Sequence, residues 1–145
     1  MHNTWVVVAD SARARIFRRN ARWQKLDEHQ DLAHPESRLH DGDLKTGGRG
    51  EQRESTNRSA HSSDYAVSPS EKHAEDFARD IAHTLHDGRS RGDFEKLVLV
   101  APPSFLGHLR HKLDNTTAQC VTQEVDKNWS RRSAQDIEGL LARHF

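Results

Sequence analysis

Apolar residues along the chain fall into short blocks divided by polar stretches, and their spacing changes from block to block. "TWVVVA" (4–9) is a continuous β-branched run that predicts a buried strand. An Asp-Ser pair follows for a tight turn, and "RARIFRR" then alternates. Ala12, Ala14 and Ile16 share one face of it, and Arg13, Arg15, Phe17 and Arg19 the other. A second turn at "RNAR" leads into "WQKLDEHQ", where alternation resumes. The first 29 residues predict a three-stranded antiparallel meander.

The later blocks change period. In "SPSEKHAEDFARDIAHTLHDG", Ser68 is placed to cap a helix, Pro69 to open it and Glu71 to complete a capping box. Ala74, Phe77, Ala78, Ile81 and Leu85 form its apolar stripe, and Gly88 is expected to end it. "KLVLVA" predicts a buried strand, and "PPSFLGHLRHKL" a helix turning Phe105, Leu106, Leu109 and Leu113 inward, with Gly107 allowing close packing or a loose first turn. "AQCVTQEV" predicts another strand, and "SAQDIEGLLARHF" a helix capped by Ser133 with Asp136 three residues on. Three antiparallel strands followed by α-β-α-β-α give an α/β fold around a mixed five-stranded sheet, as one domain over 1–145. The last two strands are expected as parallel neighbours. That order of elements is also the one found in ribonuclease H-like domains.

Residues 30–68 break the pattern. Leu32, Leu39, Leu44, Tyr65 and Val67 stand far apart among polar groups, which predicts a long mobile loop, functional or disordered. At its centre lies "KTGGRGEQRESTNR" (45–58), without one apolar residue.

Composition narrows the classes. Apolar content of 33% against 30% charged leaves a small core with much wet surface. Zero formal net charge means that any case for nucleic acid must rest on where the charges sit. Cys120 is the single cysteine, which excludes an internal disulfide and a cysteine-based zinc site, and its strand context suggests a buried, inert thiol. The first residues lack the apolar run of a signal peptide and no segment approaches membrane-spanning length, so the cytoplasm is the expected compartment and no membrane partner is expected.

Candidate chemistry thins out on inspection. A ribonuclease H-like nuclease needs converging carboxylates for metal ions. Asp10 suits one such place, but "KLVLVAPP" exits without a second, so Asp10 is better explained as a turn former. The pairs His83 with His86 and His108 with His111 specify no third ligand, so no metal and no cofactor are expected. "TGGRG" lacks the lysine and spacing of a phosphate loop. The remaining signal is basic: Arg13, Arg15 and Arg19 on one strand face, Lys45, Arg49, Arg53 and Arg58 in the loop, and Lys127, Arg131 and Arg132 before the last helix. Guanidinium groups around glycine-rich backbone suit phosphate oxygens, and a solvated face suits them equally.

"VVVADSARARIF", "EKHAEDFARDIAHTL", "KLVLVAPPSFLGHLR" and "EVDKNWSRRSAQDIEGLL" occur in order across nearly the whole chain. Together they resemble the bacterial host attachment protein family, whose members commonly carry Asp-Leu-Thr where Asn128, Trp129 and Ser130 stand here. That family in turn resembles the central domain of archaeal and eukaryotic class I peptide-release factors, in which a loop after the meander carries Gly-Gly-Gln. The same place holds Gly47, Gly48 and Arg49, with Gln52 the nearest glutamine. The resemblance implies close approach to RNA at Gly47 and Gly48, with phosphate contacts from Arg49, and puts release by the glutamine route in doubt.

The leading expectation is a non-enzymatic protein that binds ribosome or structured RNA through Gly47, Gly48, Arg49, Arg53, Arg13, Arg15 and Arg19, with an indirect effect on attachment to host cells. The alternatives are a peptidyl- or aminoacyl-tRNA ester hydrolase, and a module that binds a protein partner in a regulatory pathway.

Overall fold

The computed structural model describes residues 3–20, 25–33 and 69–144. In chain order they form β1 (Asn3–Ala9), β2 (Arg13–Asn20), β3 (Leu26–Ala33), α1 (Pro69–Arg91), β4 (Lys96–Val100), α2 (Pro103–Lys112), α3 (Asn115–Ala118), β5 (Val121–Val125) and α4 (Ala134–His144). The strands make one mixed sheet in the order β3-β2-β1-β4-β5. The meander pairs antiparallel, while β4 runs parallel to β1 on one side and to β5 on the other. This is the α/β arrangement that the hydrophobic pattern predicts.

The unbroken run in β1 reflects its central place: Trp5 through Ala9 are all fully buried, because both faces of that strand are covered. Trp5, Val7, Ala14, Ile16, Leu97 and Leu99 meet α1 and α2 on one face. Val6, Val8, Phe17, Val98 and Val100 meet Trp129 and the α4 residues Ile137 and Leu141 on the other. Alternation along β2 sorts Ile16 to the first layer and Phe17 to the second, as its sequence requires.

Several boundaries differ from expectation. β3 continues to Ala33, because Ala14 pairs with Leu32 and Leu32 packs on the first core. Helix α1 passes through Gly88 and ends at Arg91. A Cβ on Gly88 would lie 2.6 Å from a Trp5 ring carbon, so this glycine makes room for the indole. The stop is Gly92, at φ 79°, which only glycine adopts without strain. Its N–H donates to the Arg89 carbonyl and the Asp93 N–H donates to that of Gly88, closing a Schellman turn. Gly107 has open space where a Cβ would stand, so it serves no close packing. Cys120 precedes β5 and is half-buried, in a turn after the short helix α3 that no periodicity signalled. Ser133 caps α4 as expected, its hydroxyl oxygen accepting from the Asp136 N–H at 3.0 Å.

Candidate nucleic-acid interface

The carboxyl ends of β1, β4 and β5 open on one edge of the sheet, where ligands of parallel α/β folds commonly bind. Ala33, at the end of β3, lies on the same edge, since Arg13 pairs with Ala33 while Ala14 pairs with Ala9. The first turn of α1 is there too: Ser70 and Glu71 border a cavity with Ser11 of the β1–β2 turn and Ser104 of α2. The chain therefore leaves the described residues at Ala33 and returns at Pro69 on this one edge.

Asp10 organises the β1–β2 turn. Its Oδ1 accepts from the N–H groups of Ala12 and Arg13 at 2.8 and 3.0 Å, while its own N–H donates to the Arg13 carbonyl. Its Oδ2 accepts from the hydroxyl of Ser130, which is fully buried, at 2.6 Å. The expected turn former is thus also a tether for the segment after β5. Asn128 Oδ1 stands 3.2 Å from the Ser130 nitrogen and 2.8 Å from its hydroxyl oxygen. The one hydroxyl proton belongs to the shorter, charge-assisted bond with Asp10. Trp129 is buried in the second core and the Arg132 N–H donates to its carbonyl, which folds 129–132 into a tight turn.

Arg15 completes this clamp from below. Its guanidinium, nearly buried, donates through Nη1 to the carbonyls of Ser130 and Arg132. It stacks 4.9 Å from the centre of the Phe17 ring, and Nε lies 3.6 Å from Glu28 Oε2. A buried guanidinium is stable only when so surrounded. Its effect is to fix the backbone that carries Arg131 and Arg132, whose side chains are exposed, as is Lys127 just before.

The arginines expected at a nucleic-acid site are therefore divided. Arg13 is exposed at the carboxyl edge, two residues along the same face from Arg15. Arg15 is turned inward and spent on protein carbonyls. Arg19 is half-buried at the far end of β2, about 20 Å from Arg13 at strand rise. Gly47, Gly48, Arg49 and Arg53 lie outside the described residues, between anchors on the Arg13 edge. Sequence reasoning noted Arg131 and Arg132 but missed the clamp. Its signal was a large apolar residue, Trp129, set between small polar side chains in an otherwise hydrophilic turn.

Among the described residues, no three His, Cys, Asp or Glu side chains gather closely enough to hold a metal ion. The edge offers guanidinium groups and backbone, which is a means of holding phosphate oxygens.

The family model described as bacterial archaeo-eukaryotic release factor family 12 matches residues 3–141. It agrees with the release-factor half of the sequence resemblance and does not carry the host-attachment name. No curated protein matches the chain.

Proposed function

Because the chain belongs to bacterial archaeo-eukaryotic release factor family 12, we propose that it acts in translation, by binding the ribosome or another structured RNA along the carboxyl edge of its sheet. The observation that carries this reading is the common edge. Arg13, the clamped pair Arg131 and Arg132, and both anchors of the Gly47-Gly48-Arg49 segment meet there. On this reading Arg13, Arg49 and Arg53 contact phosphates, Gly47 and Gly48 admit the RNA backbone, and Arg15 holds the Arg131–Arg132 turn in place. Arg19 stands away from that edge and contributes at most to a secondary contact.

The reading favours binding over ester hydrolysis. By the sequence resemblance Arg49 stands where release factors have glutamine and cannot offer an amide to water, while Asp10 is engaged by the Ser130 hydroxyl and by the Ala12 and Arg13 N–H groups. Its place of action is the cytoplasm, and any effect on attachment to host cells follows indirectly. No helix among the described residues is long and apolar enough to cross a membrane.

Cosedimentation of the full chain with ribosomes tests the proposal. Association should be clear at low salt and fall steeply as salt rises, because each phosphate contact releases a counterion. Absence of the chain from the ribosome pellet at low salt would overturn it. Release of labelled peptide from loaded ribosomes by the wild-type chain would favour the hydrolase instead.

A further inference from the structure

A second recess lies at the opposite, amino edge of the sheet. It is a cavity of about 370 Å³ bordered by Trp5 of β1, Arg18 and Arg19 of β2, Asp27 and His29 of β3, and Asp93 after α1. Nothing in the release-factor reading uses it.

Three features set it apart from ordinary surface. Arg18 and Asp27 are register partners on adjacent antiparallel strands, where opposite charges normally pair. Both are exposed, yet neither side chain makes a hydrogen bond or an ion pair among the described residues. Asp93 is already engaged, since Arg91 donates to it through Nε at 3.0 Å. Trp5, which walls the cavity, is wholly buried, and its indole Nε1–H has no hydrogen-bond partner among the described residues. A buried indole N–H ordinarily finds an acceptor. The His29 ring, displaced onto this face where the β2–β3 register shifts, lies 5.1 Å from the indole and forms the adjoining wall.

Edge-strand protection accounts for some of this. A bulge and a row of charges blunt the open side of β3 against pairing with other chains. Protection does not call for an opposed arginine and aspartate that fail to meet, nor for an unsatisfied donor beneath a recess. The charges also restrict the occupant. A simple anion on Arg18 would face Asp27, and a simple cation on Asp27 would face Arg18. A molecule bearing both signs a few ångströms apart satisfies both.

We propose that this cavity binds a free α-amino acid. Its carboxylate takes the Arg18 fork, its ammonium group the Asp27 carboxylate, and its side chain lies against His29 and the Trp5 wall. The Trp5 indole, as part of the cavity wall, reports the occupant through its N–H resonance. The volume falls in the range of small-molecule sites, about 300–1,000 Å³.

The test is nuclear magnetic resonance of the full chain labelled with nitrogen-15, titrated with each standard L-α-amino acid in turn. At least one should shift the Trp5 indole N–H resonance saturably. Its methyl ester and its N-acetyl form, each lacking one charge, should bind about tenfold or more weakly. Arg18→Gln and Asp27→Asn should show the same loss while melting as the wild type does, since both side chains are exposed. No saturable shift with any amino acid overturns the proposal, as does a shift that survives both blocked forms or both variants. Ribosome association is a separate readout, so the two proposals can fail independently.

Discussion

The hydroxyl of Ser130 donates a 2.6 Å hydrogen bond to Asp10, joining positions 120 residues apart. Together with the Arg15 bonds to the Ser130 and Arg132 carbonyls, it locks the first turn of the meander to the last turn before α4. Arg13 and the Arg131–Arg132 turn, which sequence places at the two ends of the chain, are thereby held on one edge.

Replacing Ser130 with alanine removes the tether and leaves Asp10 Oδ2 short of a donor. The expected cost is about 1–3 kcal/mol of stability. It should appear as a lower denaturant midpoint with unchanged slope. A variant as stable as the wild type would show that the bond contributes nothing net.

Arg15→Met keeps an apolar stem over Phe17 but strands two carbonyls. We expect a loss of about 1–3 kcal/mol, with faster amide exchange at 129–132. Arg15→Lys should restore only part of this, because an ammonium can donate to the two carbonyls but loses the planar stacking over Phe17 and the Nε beside Glu28. Full rescue by lysine would count against the clamp geometry.

Gly88 and Gly139 both sit inside helices and should respond oppositely to alanine. At either site alanine gains about 1 kcal/mol of helix propensity. Gly139 has open space around it, so Gly139→Ala should stabilise. At Gly88 the new methyl would meet the Trp5 ring, and overpacking of about 1–3 kcal/mol outweighs the gain. Thermal melts of the two variants should move in opposite directions.

Asp114 supplies the pH dependence. Its carboxyl is lowered to about 2, chiefly by the Thr117 hydroxyl, whose 2.6 Å bond favours the charged form, with desolvation opposing. The Thr117 N–H and His86 add smaller effects in the same direction as the hydroxyl. A group with a depressed folded value stabilises the fold above its unfolded value, about 3.9, and loses that contribution as pH falls towards 2. Acid titration followed by carboxyl carbon resonances should place Asp114 near 2, and Thr117→Val should return it towards the ordinary range.

The fold was legible because β1, α1 and α4 have apolar patterns with one consistent period and recognisable caps. The faces of β2 follow from its alternation, which cores on both sides of it enforce. What escaped was set by contacts distant in sequence. Gly88 has the pattern of a helix stop, but the Trp5 ring fills the place of its side chain and the helix runs on to Arg91. Arg15 had the pattern of an exposed arginine, and only the turn at 129–132, far along the chain, buries it. Short α3 has too few residues for any periodicity to register. The Asp10–Ser130 bond joins two polar residues that each read naturally as local turn formers.

Ultraviolet crosslinking of the full chain bound to ribosomes, followed by mapping of the peptides that carry nucleotide, tests the carboxyl-edge interface most directly. Nucleotide should be found on the peptides holding Arg13, Arg131 with Arg132, and the segment 45–58. Crosslinks confined to α2 or to the amino edge around Arg19, with none at those three places, would contradict it.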